Sequence, residues 1–198
     1  SWSNKLLFRH STAVLAVSPE MSSLAVRMGA DSAHLIGTSV PREFLTRPFV
    51  PLSPTPGRIL FAGRLAEEKN VHKVLELARA RPALQVSIAG DGPMRQAVLD
   101  AASRTDNLNY LGWVSRDRLI DVFDEHDALL LPSRVESFGT VALEALSRGR
   151  PVILSGSCGI AEWPQFDNCL FHIGDDETVA QAVDRVFSLP HVVRAGIS

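Results

Sequence analysis

Two glutamates, Glu136 and Glu144, stand eight positions apart in "RVESFGTVALEAL", on either side of a Phe-Gly-Thr step in an apolar run. Earlier, Arg64 and Lys69 stand five apart in "GRLAEEKN". Two cations beyond a strand could clamp a diphosphate, Arg as a bidentate fork and Lys as a point charge. Both could equally be solvated and neutralised by Glu67 and Glu68, since surface ion pairs are common and nearly neutral in energy. The glutamates fit poorly as an acid-base pair. Were 136–144 all helical, they would lie about 12 Å apart along the axis at roughly 1.5 Å per residue, whereas a pair acting on one bond normally stands closer. They fit better as acceptors at opposite ends of one extended ligand, with an anion between them. Gly139 allows a helix to begin near Phe138 to Thr140, and its first-turn amides attract phosphate. The plainer alternative is a capping Glu at the helix start and a solvent-facing Glu later.

Other loops carry weaker signals. "GDGPMR" has glycines suited to a phosphate cradle, but Arg95 stands where the dinucleotide fingerprint needs a small residue, and no ribose-binding acid follows at the expected distance. A tight turn with Pro93 at the first helical position is the simpler reading. In "WVSRDRL", Ser115 is a good N-cap, and Trp113 either walls a nucleobase or packs under its own helix. "SGSCGIAEW" adds Glu162, which accepts from a hydroxyl-rich ligand or faces water. None of the six histidines pairs with another ligand type at metal-binding spacing, so no metal site is expected.

These residues need elements to position them. Short β-rich runs, "RILFAG" (58–63), "LQVSIAG" (84–90), "NLNYLG" (107–112), "DALLLP" (127–132), "PVILSG" (151–156) and "CLFHI" (169–173), alternate with helical stretches. Val71, Val74, Leu75 and Ala78 make one apolar stripe; Met94, Ala97, Val98 and Ala101 make another. Leu119, Val122 and Phe123, then Val179, Ala182, Val183 and Val186, repeat the pattern. This predicts an α/β, doubly wound parallel sheet of Rossmann-like type, with ligands beyond the carboxyl ends of the strands. Before it, "TAVLAVS" (12–18), "PEMSSLAVRMG" (19–29) and "AHLI" (33–36) read as strand, helix and strand. Five prolines in residues 40–57 read as an extended linker.

With 198 residues, 45% hydrophobic and 21% charged, the chain can bury one good core. A net charge of -2 with both signs interspersed offers no footprint for nucleic acid. Cys158 and Cys169 are too few for a disulfide scaffold and read as buried thiols in a reducing compartment. No run of 18 apolar residues occurs, and "SWSNKLLFRHS" lacks the apolar segment of a signal peptide. A cytoplasmic location is expected, with peripheral attachment at the inner face of a membrane compatible with it.

The order "GRLAEEK", "GDGP", "LPSRVESFGTVALEAL" and "CGIAE" at successive strand ends resembles the C-terminal donor-binding half of retaining glycosyltransferases with the two-domain GT-B fold, of the group 1 or family 4 type. The likeness covers about residues 58–188, and the glutamate pair with seven intervening residues is its most diagnostic part. It implies that Arg64 and Lys69 bind the diphosphate of a UDP-, GDP- or ADP-sugar beside Gly63. Glu136 would meet the donor sugar's hydroxyls, the amides of Phe138, Gly139 and Thr140 the phosphates, and Glu144 the ribose. The base would sit near Trp113 and Val114. The reaction implied is retaining, metal-independent and cofactor-free transfer to a hydroxyl of a sugar, polysaccharide or lipid-linked acceptor.

The resemblance also implies a division. Residues 1–40 match the end of an N-terminal acceptor domain, 41–57 a Pro-rich linker and 58–198 the nucleotide-sugar-binding domain. The Gly-rich loop of a full acceptor domain is absent, "IGTSVPREF" replaces the usual Asn-Gly-Val-Asp turn, and no helix crosses back after Ser198. A fragment is expected, or a chain whose acceptor domain is a separate polypeptide, inactive alone in either case. The competing class is a non-catalytic nucleotide or nucleotide-sugar-binding module working with a partner chain.

Overall fold

The computed structural model describes residue 8 and residues 10–195. Six strands, β3 (Arg58–Ala62), β4 (Gln85–Ala89), β5 (Leu108–Gly112), β6 (Ala128–Leu131), β7 (Val152–Leu154) and β8 (Leu170–His172), form one sheet in the order β5-β4-β3-β6-β7-β8. Every neighbouring pair is parallel. The six apolar runs are therefore the six strands, trimmed at their ends. The chain proceeds outward one way through β3, β4 and β5, then returns to the centre at β6 and proceeds the other way. The order reverses between β3 and β6, so their carboxyl ends flank the crevice that such a switch creates.

Alternation along each strand sends residues to two covered faces. Ile59 and Phe61 pack with Val74, Ala78, Val98 and Val183, whereas Leu60 and Ala62 pack with Ile120, Phe123, Ala142 and Ala145. The helices behind these contacts are α3 (Val71–Ala80), α4 (Arg95–Ala102) and α7 (Val179–Ser188) on one face, and α5 (Arg116–Asp124) and α6 (Thr140–Ser147) on the other. The predicted stripes on α3, α4, α5 and α7 supply buried residues to these layers. A four-residue helix, α8 (His191–Arg194), follows α7.

Ahead of this sheet, β1 (Val14–Ala16) and β2 (Ala33–Leu35) form a separate two-stranded parallel sheet bridged by α1 (Pro19–Arg27). Ser18 caps α1, its hydroxyl accepting from the Met21 amide at 3.3 Å, with Pro19 at the first helical position as its fixed φ favours.

The linker is neither fully extended nor loose. A short helix, α2 (Arg42–Thr46), interrupts it because Phe44 is fully buried against the sheet. Between Phe44 and Pro54 several of its carbonyls are met by buried arginines. Arg148 donates to Phe44 O and Arg47 O at 3.1 Å and to Pro48 O at 2.7 Å, while Asp124 accepts from it at 3.0 and 2.7 Å. Arg150 donates to Val50 O, and Arg194 to Ser53 O and Pro54 O. Asp127 accepts from the amides of Gly57 and Arg58, both at 2.8 Å. Arg148→Met leaves a carboxylate and three carbonyls short of donors, so a loss of about 3 kcal/mol is expected in urea unfolding. Among the described residues no helix is long and apolar enough to cross a membrane.

Both cysteines are free; Cys158 is buried, and Cys169 is only half-buried.

Candidate functional site

The loop after β3 carries Gly63, Arg64 and a short 3-10 turn, Glu67–Lys69, and ends at Asn70. Asn70 adopts a left-handed conformation (φ 54°, ψ 41°), uncommon outside glycine. Its side-chain amide donates to Pro132 O at 3.1 Å, tying this loop to the end of β6. The Arg134 amide, donating to Glu68 O at 2.8 Å, ties it again. Lys69 is thereby turned across the switch point, where its ammonium meets Glu136 Oε2 at 2.6 Å, each side chain about one-fifth exposed. Neutralisation by an adjacent glutamate holds for Arg64, which is 66% exposed and ion-paired with Glu68 at 3.9 Å, but not for Lys69, since Glu67 faces His72 at 3.2 Å.

The glycines after β4 have a backbone purpose. Gly63 N donates to Ala89 O, Leu65 N to Asp91 O and Met94 N to Leu65 O, so the two loops run in contact. A Cβ on Gly90 would lie 1.8 Å from Gly63 O, and one on Gly92 2.5 Å from Leu65 O. Pro93 belongs to this turn and not to the first helical position: the Met94 bond to Leu65 delays the start of α4 to Arg95. Ser115 does occupy the N-cap of α5, but its side chain makes no capping bond.

After β6 the chain reaches α6 through Gly139, which is its N-cap with φ 93° and ψ 55°. Among the described residues no acceptor meets the amides of Thr140 and Val141, as the first turn of a helix dictates. Thr140 is exposed, while Phe138 is buried edge-on against Trp163, with ring centroids 6.2 Å apart. The side chain of Phe138 thus supports the loop and leaves only its backbone for a ligand.

Glu136 precedes the terminus and Glu144 lies one turn inside it, but Glu144 is not solvent-facing. It is 7% exposed, and its carboxylate has no hydrogen-bond or ion-pair partner among the described residues. Burial raises its pKa, partly offset by the charge of Arg116. Relative to the unfolded chain the fold thus disfavours the charged form: the stability this group contributes is fully present below the ordinary carboxylate range and is lost as pH rises through the raised value. Glu144→Gln is expected to raise the thermal midpoint at neutral pH, with the gain vanishing near about pH 3. An unchanged difference across that range would refute the assignment.

Glu144 lines a cavity of about 400 Å³ together with Gly63, Arg64, Trp113, Val114 and Asp91. Trp113 is 73% exposed, so it does not pack under α5 and instead lines the cavity. Five residues singled out by sequence therefore meet in one cleft. Lys69, Glu136 and Gly139 stand outside its lining, at the adjoining ends of β3 and β6. Gly90, Leu119 and Val141 also line it. Gly90 and Asp91 lie in the "GDGPMR" loop read from sequence as a possible phosphate cradle, Leu119 entered there only as part of a helix stripe, and Val141 carried no site signal of its own. Glu162 neither faces water alone nor enters the cleft; it accepts from the Glu20 amide at 2.7 Å. Among the described residues no three His, Cys, Asp or Glu side chains converge as metal ligands would.

Comparison with known proteins now adds to this geometry. Residues 45–195 match the family described as glycosyl transferases group 1. Glycogen synthase of Mycobacterium tuberculosis is 34% identical over 114 residues, 54% of this chain and 28% of that protein. Sucrose-phosphate synthase from Thermosynechococcus elongatus superposes with a TM-score of 0.82 at 19% identity, over 100% of this chain and 54% of that one. The Anabaena protein Alr3699/HepE, solved with UDP and glucose, gives 0.78 at 17% identity, over 99% and 58%. This chain thus spans 28% of the length of that curated relative and little more than half of each solved structure. The α/β sheet is one half of a GT-B fold, and the chain belongs to the glycosyl transferases group 1 family.

Proposed function

We propose that this chain supplies the donor-binding half of a retaining, metal-independent transfer of a sugar from a UDP-, GDP- or ADP-sugar to an acceptor hydroxyl. The observation that carries the reading is the placement of two carboxylates around the α6 terminus, Glu136 beside Lys69 and Glu144 inside the cleft walled by Trp113. The base stacks at Trp113 and Val114, and the buried Glu144 carboxylate accepts from the ribose hydroxyls. The diphosphate meets the amides of Gly139 and Thr140, with Arg64 and Lys69 as counter-charges. Glu136 accepts from hydroxyls of the donor sugar.

Cleavage of the glycosidic bond leaves both electrons on the departing diphosphate oxygen, whose charge the cations and first-turn amides stabilise. That oxygen takes the proton of an acceptor hydroxyl attacking from the same face, so configuration is retained. No covalent nucleophile from this chain is required; placement and charge stabilisation do the catalysis. The complex of Alr3699/HepE with UDP and glucose is consistent with this class of ligand.

Titration calorimetry with UDP, GDP and ADP, each with and without an attached sugar, tests the reading. One nucleotide is expected to bind, more tightly as its sugar conjugate. Glu144→Ala should weaken bare nucleotide by about 10- to 100-fold, the value of hydrogen bonds to a charged acceptor. Glu136→Ala should remove chiefly the increment due to the sugar. Equal losses for bare nucleotide would show that the division of roles is wrong, and no binding by folded protein would remove the site altogether.

A further inference from the structure

The loop after β7 touches two parts of the molecule at once. On its inner side it is laced to the segment carrying Glu136. Glu136 and Cys158 form a parallel bridge; the Glu136 amide donates to Ser157 O at 3.2 Å, Gly159 N to Glu136 O at 2.9 Å and Ile160 N to Phe138 O at 2.8 Å. On its outer side it grips the β1-α1-β2 unit. Glu162 Oε2 accepts from the Glu20 amide in the first turn of α1 at 2.7 Å, and the Trp163 indole N–H donates to Val17 O at 3.2 Å. Between these layers there is no slack: a Cβ on Gly159 would lie 2.1 Å from Ser137 O and 3.0 Å from Ser18 Cβ.

The covalent route between the same two parts is permissive. From Phe44 onward the chain is clamped to the sheet domain by Arg148, Arg150 and Arg194. Ile36 N donates to Ala16 O at 2.8 Å and Val40 packs against the sheet core, so the connecting stretch between these ties is residues 37–39, where a Cβ on Gly37 would meet nothing within 4 Å. We propose that Glu162 and Trp163 form a latch that holds the β1-α1-β2 unit against the Glu136 segment, so that movement of that unit about residues 37–39 alters the sugar end of the donor site. Glu162 and Trp163 act here as positioning residues. The carboxylate is suited to the task because a helix N-terminus presents both free amides and partial positive charge. The statement about the sugar end rests on the donor-site reading above; the latch itself does not.

Hydrogen exchange on the unliganded protein tests the latch. Glu162→Ala and Trp163→Phe, the latter keeping a ring against Phe138, should each speed exchange of the Glu20 amide and also of the Gly159 and Ile160 amides by about tenfold. Glu162→Gln, which keeps an acceptor without the charge, should fall between. Faster exchange at Glu20 alone would mean that Glu162 only caps α1, and the latch would be overturned. Calorimetry then tests its consequence: both variants should lose about three- to tenfold of the affinity added by the donor sugar, with bare-nucleotide affinity unchanged. Loss in Glu162→Ala but not in Trp163→Phe would make Glu162 a direct ligand and overturn the coupling. An undiminished increment despite faster exchange would overturn it as well. If no nucleotide sugar binds at all, the donor-site reading fails while the exchange result still decides the latch.

Discussion

Lys69→Ala is expected to lower the affinity for a nucleoside diphosphate by about 10- to 150-fold, the range of a hydrogen bond involving a charged group. Two effects add. The cation nearest the switch point is lost, and Glu136, only 18% exposed at its side chain, is left without its 2.6 Å partner and faces the incoming phosphates as an uncompensated charge. Arg64→Ala should cost less, about three- to tenfold, because Arg64 is 66% exposed and its charge is screened by solvent. Lys69→Arg should not restore full affinity, since a planar fork cannot replace a compact point charge in the same niche. Calorimetry on the three variants gives the order directly. A larger loss in Arg64→Ala than in Lys69→Ala would mean that Lys69 serves the Glu136 pair and not the diphosphate.

Gly90→Ala should cost more than about 4 kcal/mol, or leave no folded protein, because its Cβ would stand 1.8 Å from the Gly63 carbonyl oxygen. Neither side can yield cheaply. The oxygen belongs to backbone and a Cβ is fixed in direction by its own backbone, and the two loops extend directly from the β3-β4 ladder, with Gly63 N already donating to Ala89 O at 3.0 Å. Gly92→Ala, at 2.5 Å from Leu65 O, should follow the same direction. Gly112→Ala is the internal control. Gly112 has φ 68° but nothing within 4 Å of a Cβ, so only left-handed strain of about 1 kcal/mol is expected. Urea unfolding of the three variants decides it: a Gly90→Ala protein within about 1 kcal/mol of its parent would mean that the loops separate more easily than their bonding implies.

The two predictions concern the same crevice, and they show why some of it was legible and some was not. The loops that reach the ligand edge follow from order alone: in a parallel sheet every strand ends on the same side, so "GRLAEEK", "GDGP" and the "RVESFGT" segment had to arrive there together. Which atoms meet within that edge could not follow. Lys69 had two glutamates as near neighbours in sequence and pairs with a third, 67 residues away. The reason lies in the left-handed turn at Asn70 and its bond to Pro132, which aim the ammonium across the switch point. Glycines that resembled a phosphate cradle are required by a neighbouring loop's carbonyls, a contact with no local signature.

By itself, the sequence determined the strands, the apolar helix stripes, the two-faced core and the side of the sheet on which chemistry-bearing loops gather. Those features arise from periodicity and chain order, which are local and additive along the chain. Only the tertiary structure decided that Glu144 is buried, that Glu162 caps a distant helix, and that the Pro-rich segment is held by Arg148, Arg150 and Arg194. Burial and partner choice depend on what arrives from elsewhere in the chain, and a charged residue's type and spacing carry no record of it. Glu144 states the difference plainly: its position one turn into α6 is a matter of counting, whereas its desolvation is made by the packing of the loops and helices around it.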